Sequence, residues 1–281
     1  MRKLFSILCL CFTLGAIAQD ADTTKIWDSG LQGSLSFSQV SLSNWAGGGA
    51  NSISLNSFIK IHAHRKVNRS VWENNLDMAY GLTKLGEASL RKSDDKVDFT
   101  SKYGYQLLAS SEKLLFSSSF QFRSQFANGF NFPNDSVKIS KFLAPGYIIV
   151  STGLDYKPVP GFSIYLSPVT GKMTIVGDDR LASLGAFGVD PGENVRMEFG
   201  SFFKLIYSKE VVTNVAFETK LDLFSNYAHN PGDIDVNWEN ALVMKINDFL
   251  SANLLTQLIY DRDIKFDVIE NDVVVGQEDK V

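Results

Sequence analysis

Histidine is a frequent metal ligand and general base, and this chain has three histidines. His62 and His64 are two residues apart in an alternating stretch, so a β-strand would point both side chains to the same face. Such a pair can bind a metal ion. Arg65 and Lys66 follow directly, and we favour two polar residues near a strand end over a metal site. His229 lies in YAHNPG, which predicts a loop.

A hydrolase would need a serine and a histidine close together, with a third group that orients the histidine. The sequence lacks the G-x-S-x-G nucleophile elbow, and its many serines make no single one informative. His229 with a loop serine or Asp233 is the one combination expected on the outward side. We therefore predict no enzyme activity, no catalytic residue, no cofactor and no metal. A lipid-acting hydrolase with its site near His229 is kept as the alternative.

The stretch NWAGGGANSISLN, residues 44–56, has the glycines of a phosphate-binding loop. Such a loop leads from a buried strand into a helix and ends in Lys-Ser/Thr. Here no lysine follows, and the alternating SISLN predicts a strand. We therefore predict a tight hairpin corner whose glycines have positive φ angles and whose Trp45 lies at a membrane interface. The motif consists of Asn44, Trp45, Gly47, Gly48, Gly49 and Asn51.

Apolar and polar residues alternate along most of the chain, which predicts β-strands. Trp72, Leu76 and Met78, for example, alternate with Glu73 and Asp77. Eleven such strands are recognisable, and most have about 10 to 14 residues, longer than the roughly 5–6 usual in soluble sheets. The first is serine-rich and covers about 30–43, four more follow up to residue 126, and the others cover about 146–156, 162–170, 194–207, 211–225, 233–247 and 250–261.

Long alternating strands with aromatic-rich apolar faces are typical of antiparallel transmembrane β-barrels, which are apolar outside and polar inside. The predicted fold class is all-β: a barrel of about 12 strands, eleven readable here and the last missing or atypical. Two interpretations stay open: a sequence that stops short of a twelfth strand or has lost it, and a poor closing strand at residues 264–275. A secreted soluble barrel or sandwich, with its apolar faces inward, is the alternative.

The predicted connections are alternately short and long. Every second one is short: HRKVNRS, ASSEK, KPVPG, SKE and ND. The others include about 83–95, 127–145, 171–193 and 226–232, and the glycine-rich corner is expected to be the only short one among them. Outer-membrane barrels have short periplasmic turns and longer extracellular loops, which favours the membrane barrel.

The N-terminus predicts export. Arg2 and Lys3 precede an apolar run, and Ala16-Ile17-Ala18 has the small residues of a cleavage site, so residues 1–18 are predicted to be a signal peptide. Both cysteines lie within it. Residues 19–29 would be a short periplasmic segment and 30–281 the barrel, located in the outer membrane. After cleavage, 25 basic residues face 31 acidic ones, a formal charge of −6 that disfavours nucleic acid as a partner.

Charges of both signs occupy the predicted polar faces. A wall of one sign would indicate an ion-selective pore, whereas mixed signs can pair and narrow the interior. A solvated wall is the equally favoured alternative. The candidate lumen charges are Glu73, Asp77, Lys102, Arg123, Arg196, Glu198, Glu218 and Lys220.

Several segments resemble an uncharacterised outer-membrane barrel family of Bacteroidota, a domain of unknown function. They are SQV (38–40), SNWAGG (43–48), NS (51–52), FLAPGYIIVSTGLDY (142–156), IYLSPVTGKMTIV (164–176) and LASLGAFGV (181–189). The resemblance implies an outer-membrane location and a barrel fold but no activity. Members of that family usually finish with an aromatic-ended strand, which is lacking here.

The sequence thus predicts a non-catalytic outer-membrane barrel that acts as a narrow passive channel or as a structural component of an envelope complex. Its partners would be the lipid bilayer and other envelope proteins. The two longest outward loops carry apolar residues that could contact a partner or plug the lumen: Phe130, Phe132 and Phe142 in one, and Leu181, Leu184 and Phe187 in the other.

Overall fold

The computed structural model describes residues 26–43, 47, 49–131, 136–247, 250–263, 266–270 and 273–278, the last two ranges by backbone only. The predicted signal peptide lies outside these residues. So do Asn44, Trp45 and Gly48 of the glycine motif, and Phe132.

Alternation of apolar and polar side chains suits the pleat of a β-strand, and the chain folds almost entirely into strands. The strands are β1 (Trp27–Val40), β2 (Ser52–Val67), β3 (Ser70–Leu85), β4 (Arg91–Leu108), β5 (Ser111–Ser124), β6 (Gly129–Phe130), β7 (Lys138–Ser140), β8 (Gly146–Tyr156), β9 (Phe162–Ile175), β10 (Val195–Val212), β11 (Val215–Asn226), β12 (Ile234–Lys245), β13 (Ser251–Tyr260), β14 (Phe266–Glu270) and β15 (Val273–Glu278). Helix α1 (Asp179–Ser183) and a 3₁₀ turn (Ala186–Gly188) follow β9. In the described part of the chain, no helix has the length and apolarity needed to cross a membrane.

Eleven strands form one antiparallel sheet in the order β1-β2-β3-β4-β5-β8-β9-β10-β11-β12-β13. The prediction of eleven antiparallel strands is therefore confirmed. The sheet is not closed into a barrel, because β1 and β13 each have one edge without a partner among the described residues. Two of the remaining segments, β14 and β15, pair with each other in a separate ribbon, so the described residues of the predicted closing segment 264–275 do not supply a twelfth strand of the sheet.

The connections alternate in length, as predicted. At one end of the sheet they span 68–69, 109–110, 157–161, 213–214 and 246–250, and at the other 41–51, 86–90, 125–145, 176–194 and 227–233. The expectation that the glycine corner is the only short connection at the second end was wrong. Strands β3 and β4 continue into the predicted loop 83–95, and the connection that remains, 86–90, is shorter than 41–51.

The two faces of the sheet differ in character. Cross-strand partners share a face, and the register places Phe116, Leu154 and Leu166 side by side on the outer face. These side chains are exposed, and so are apolar residues of the same face on the other strands. They include Leu31, Leu35, Phe37, Ile59, Trp72, Tyr103, Val150, Phe199, Trp238 and Leu254. The sheet is therefore apolar outside, whereas its opposite face carries the charges together with a small apolar cluster that includes Ile149, Phe202 and Phe224.

The two longest loops pack on each other at one end of the sheet. Leu181 of α1 lies in a buried cluster with Ala144, Val176 and Val189. The side chain of Asp178 caps α1 by accepting a hydrogen bond of 3.2 Å from the N–H of Leu181. Its carboxylate also contacts two lysines of the neighbouring loop, with Nζ–Oδ2 distances of 3.3 Å to Lys138 and 3.2 Å to Lys141.

Candidate functional site

The inner face of the sheet is lined by ionisable side chains, and strand alternation explains their common orientation. Glu73, Asn75 and Asp77 occupy every second position of β3, so they project from one face. The register sets Glu73 opposite Lys102 of β4, which extends the polar face to the next strand. The predicted lumen charges are therefore brought together on the inner side.

Near the short turns, Lys102 lies between two carboxylates. Its Nζ donates to Asp155 Oδ2 at 2.5 Å and is 3.4 Å from Glu73 Oε2. Lys157, in the turn after β8, contacts Glu73 Oε1 at 2.5 Å. These ion pairs offset the free-energy cost of burying Lys102 and Asp155, because a buried charge without a partner is strongly destabilising.

Three further ion pairs connect strands that are far apart in the sheet. Lys96 of β4 contacts Glu239 of β12 with an Nζ–Oε1 distance of 2.7 Å. Lys220 of β11 contacts Asp77 of β3 at 3.5 Å, and the Lys60–Glu218 pair of β2 and β11 is separated by 3.7 Å. Side chains of distant strands can meet only if the sheet curls strongly around its polar face.

Arg123 connects two sides of the interior by ion pairs with two aspartates. Its Nε donates to Asp98 Oδ2 at 3.0 Å, and its Nη2 pairs with Asp222 of β11. Lys204 Nζ lies 3.1 Å from the other oxygen of Asp222. We call Asp98, Arg123, Lys204 and Asp222 the septum, because this group connects β4 and β5 with β10 and β11 across the interior.

The septum separates two cavities. The turn-side chamber has a volume of about 1020 Å³ and reaches the short turns at Ser110–Glu112 and Pro158–Gly161. The loop-side chamber has a volume of about 400 Å³ and reaches Pro145, Tyr260 and Asp261 near the long loops. Arg123 and Asp222 line both. Paired charges thus narrow the interior between the two cavities.

A second charge group lies beside the loop-side chamber. Lys172 Nζ is 2.5 Å from Asp235 Oδ2, 3.3 Å from Asp261 Oδ2 and 3.4 Å from Glu198 Oε2. Arg196 joins the same group through Glu198, at 3.0 Å. Lys172 was not predicted as an inner-face charge, because it fell in the predicted loop 171–193. In the structure, β9 extends to Ile175. Thr170, Lys172 and Thr174 continue its polar alternation, and this was the available signal.

The other candidate residues are placed as follows. His62 and His64 lie side by side on the inner face with ring centroids 5.2 Å apart, and His64 Nε2 is 3.2 Å from Asn75 Oδ1. In the described part of the chain, no three His, Cys, Asp or Glu side chains are arranged to hold a metal ion. His229 is exposed in the loop 227–233, where Asp233 pairs with Arg262 at 2.7 Å.

Within the glycine motif, Gly49 has the predicted positive φ, 122°. Asn51 Oδ1 accepts a hydrogen bond of 2.6 Å from the N–H of Leu42, which fixes the start of the connection to its end. Of the apolar loop residues, Leu181 and Phe187 pack inside the loop cluster, whereas Phe142 and Leu184 are exposed. The predicted anchors are therefore only partly free to contact another molecule.

Comparison with known families adds one result. The profile of a family described as "Protein of unknown function (DUF3078)" matches residues 37–130. The matched part runs from β1 to β6, and it includes Glu73, Asp77, Lys102 and Arg123. This part of the chain is similar to that family. No curated protein and no solved structure matches the chain.

Proposed function

We propose that this protein is a β-barrel of the bacterial outer membrane that acts as a narrow passive channel without catalysis. The observation that carries the proposal is the reversed polarity of the sheet. Exposed apolar side chains cover the outer face, and buried and half-buried charges in ion pairs line much of the inner face. A water-soluble sheet would bury its apolar face instead, whereas a bilayer favours apolar residues outside.

Strand length supports the same conclusion. The strands of the main sheet have from 10 residues in β13 to 18 in β4. A tilted transmembrane strand needs about 9–11 residues to cross the hydrocarbon core. All eleven are therefore long enough to span a bilayer.

An aromatic belt near the short turns further supports insertion. Trp27 and Trp72 have ring centroids 5.8 Å apart on the outer face, and the centroids of Phe162 and Tyr207 are 6.2 Å apart. Trp72 Nε1 also donates to Ser101 Oγ at 2.9 Å. Aromatic rings with a polar group are enriched where hydrocarbon meets water. This belt would mark the periplasmic interface.

Closure of the sheet is part of the proposal. Successive strands are antiparallel, so β1 and β13, the first and last of eleven, run in the same direction. An antiparallel closure therefore needs one more strand between them, which gives the even number usual in bacterial barrels. The cross-interior pair of Lys96 and Glu239 supports a curl close to that of a barrel.

The ion pairs that narrow the interior favour a narrow channel over a wide pore. We expect purified protein in planar lipid bilayers to give small conductance steps, and Arg123→Ala to increase them several-fold because the septum loses its central cation. Arg196→Ala is the matched control, since it removes an inner-face arginine outside the septum. Unchanged conductance in Arg123→Ala would contradict the septum as the barrier.

A structural role in an envelope complex is the second candidate, and the exposed Phe142 and Leu184 of the long loops favour it. A silent bilayer together with envelope proteins that co-purify, and are lost in Phe142→Ser, would support this role instead. The barrel itself is checked by gel migration before and after boiling. Equal migration would argue against a barrel in both roles.

A further inference from the structure

We propose that the loop-side chamber binds a small amphipathic amine, with its ammonium group at the carboxylates around Lys172 and a hydroxyl or amide group at Gln121. The proposal rests on the charge balance of the chamber and on one buried amide. It requires neither conductance nor a partner protein.

The charge balance selects a cation. The ion-pair group has two cations, Lys172 and Arg196, and four carboxylates, Glu198, Asp235, Asp261 and Asp263. Lys172, Asp235 and Asp261 line the chamber itself. The septum and the Lys96–Glu239 pair are balanced. Three carboxylate contacts surround the Nζ of Lys172, so this ammonium is already paired. An ammonium ligand would reduce the negative excess, and an anion would increase it.

Gln121 supplies the second observation. Its side chain borders the chamber and is 2% exposed, yet neither its Oε1 nor its Nε2 has a hydrogen-bond partner among the described residues. Buried amides are normally hydrogen-bonded, because an unpaired one costs its full desolvation energy. A ligand hydroxyl can satisfy it, since that group both donates and accepts.

The register sets the distance between the two ends of the ligand. Gln121 lies opposite Ile149, Ile149 opposite Lys172, and Lys172 opposite Glu198. These residues form one row across four neighbouring strands. Gln121 and Lys172 are two strands apart, or about 10 Å at the usual spacing of strands. A ligand that reaches from Gln121 to the carboxylates beside Lys172 must therefore be roughly as long as tyramine.

The wall between the two ends is apolar and aromatic. Ile149, Phe202 and Phe224 form a buried cluster on the inner face and line the chamber. Lys172 Nζ already lies 5.2 Å from the centroid of the Phe224 ring. A ring or short hydrocarbon in the ligand would pack here, and its ammonium group would be near an aromatic face, which also favours cations.

The test uses the full chain in detergent and calorimetric titration with four probes: tyramine, 2-phenylethylammonium, 2-phenylethanol and 3-phenylpropionate. We expect both amines to bind more tightly than the alcohol and the carboxylate, and tyramine to bind most tightly. Asp235→Asn should weaken both amines by about tenfold, as expected when one charged hydrogen-bond partner is lost. Gln121→Leu should lower the affinity for tyramine to that for 2-phenylethylammonium and leave the affinity for 2-phenylethylammonium unchanged.

Glu218→Gln is the matched control, because it removes one carboxylate from the turn-side chamber and should leave amine binding unchanged. Asp261→Asn is a second variant of the carboxylate group in case Asp235→Asn fails to fold. Binding of 3-phenylpropionate as tight as that of the amines, equal effects of Glu218→Gln and Asp235→Asn, or no amine binding at millimolar concentration would overturn the proposal. Failure here leaves the bilayer result for Arg123→Ala unaffected.

Discussion

Lys96 and Glu239 form an ion pair with an Nζ–Oε1 distance of 2.7 Å, although their strands, β4 and β12, are separated by five strands in the order of the sheet. The pair is a direct measure of the curl, because a flatter sheet would hold these strands far apart. Both side chains are only partly exposed, at 32% and 25%, so water does not fully screen their attraction.

The first prediction concerns this pair. A double-mutant cycle with Lys96→Met and Glu239→Gln should give a coupling of about 0.5–1.5 kcal/mol in the free energy of unfolding, within the range found for residues in contact. Denaturant unfolding of the protein in detergent measures it.

The pair of Lys66 and Glu112 is the control. Its Nζ–Oε2 distance is 2.5 Å, but its side chains are 53% and 67% exposed. Exposed ion pairs contribute little to the free energy of unfolding, so the control cycle should give a coupling close to zero. Zero coupling between Lys96 and Glu239 would mean that the protein in solution is less curled than described.

The second prediction tests which face meets lipid. Val150 lies in the middle of β8 and is exposed on the outer face, and Val159 is exposed in the turn 157–161. In a bilayer, Val150→Arg should lower the free energy of unfolding by about 2–4 kcal/mol, as for an arginine on the lipid face near the midplane. Val159→Arg should have an effect close to zero.

Unfolding in lipid vesicles provides the measurement for both valine variants. In a water-soluble protein an arginine at either exposed site would be tolerated. Equal stability of the two variants would therefore be evidence against insertion of this face.

The positions of the strands, and the face of the sheet on which each residue lies, could be predicted from the sequence. Alternation with period two places Glu73 and Asp77 on one face whatever the neighbouring strands are, because it depends on the backbone pleat alone. It also shows that charges of both signs share that face. These local features, including the alternation of short turns and longer loops, were confirmed.

The partners of the charges were beyond prediction. Asp77 contacts Lys220, which is 143 residues away, and that contact depends on the curvature of the whole sheet. Lys172 was not predicted for a different reason, although Arg196 and Glu198 of the same group were. Gly171 interrupts the apolar alternation of β9 on the outer face, so the pattern predicted a strand end at residue 170, before Lys172. The septum, likewise, depends on four strands at once.

The third prediction concerns pH and the packing of the long loops. The hydrogen bond from the N–H of Leu181, and the ammonium groups of Lys141 and Lys138, lower the pKa of Asp178 to about 2. An unfolded aspartate has a pKa of about 3.9. Because the folded pKa is the lower one, Asp178 stabilises the loop cluster fully above about pH 5, and this contribution is lost as the pH falls from about 4 towards 2.

Carboxyl ¹³C NMR should therefore show a titration midpoint for Asp178 near the pKa of about 2. Relative to pepsin's cleavage of an unfolded substrate at the same pH, its cleavage of the loop 176–194 should be faster at pH 2 than at pH 4. Asp178→Asn removes the charge that the two lysines contact, so this variant should be cleaved quickly at both pH values. Asp179→Asn is the control, because Asp179 is the exposed neighbour and should leave the wild-type pH dependence intact. A midpoint near that of an unfolded aspartate would show that the contacts of Asp178 do not hold the two loops together.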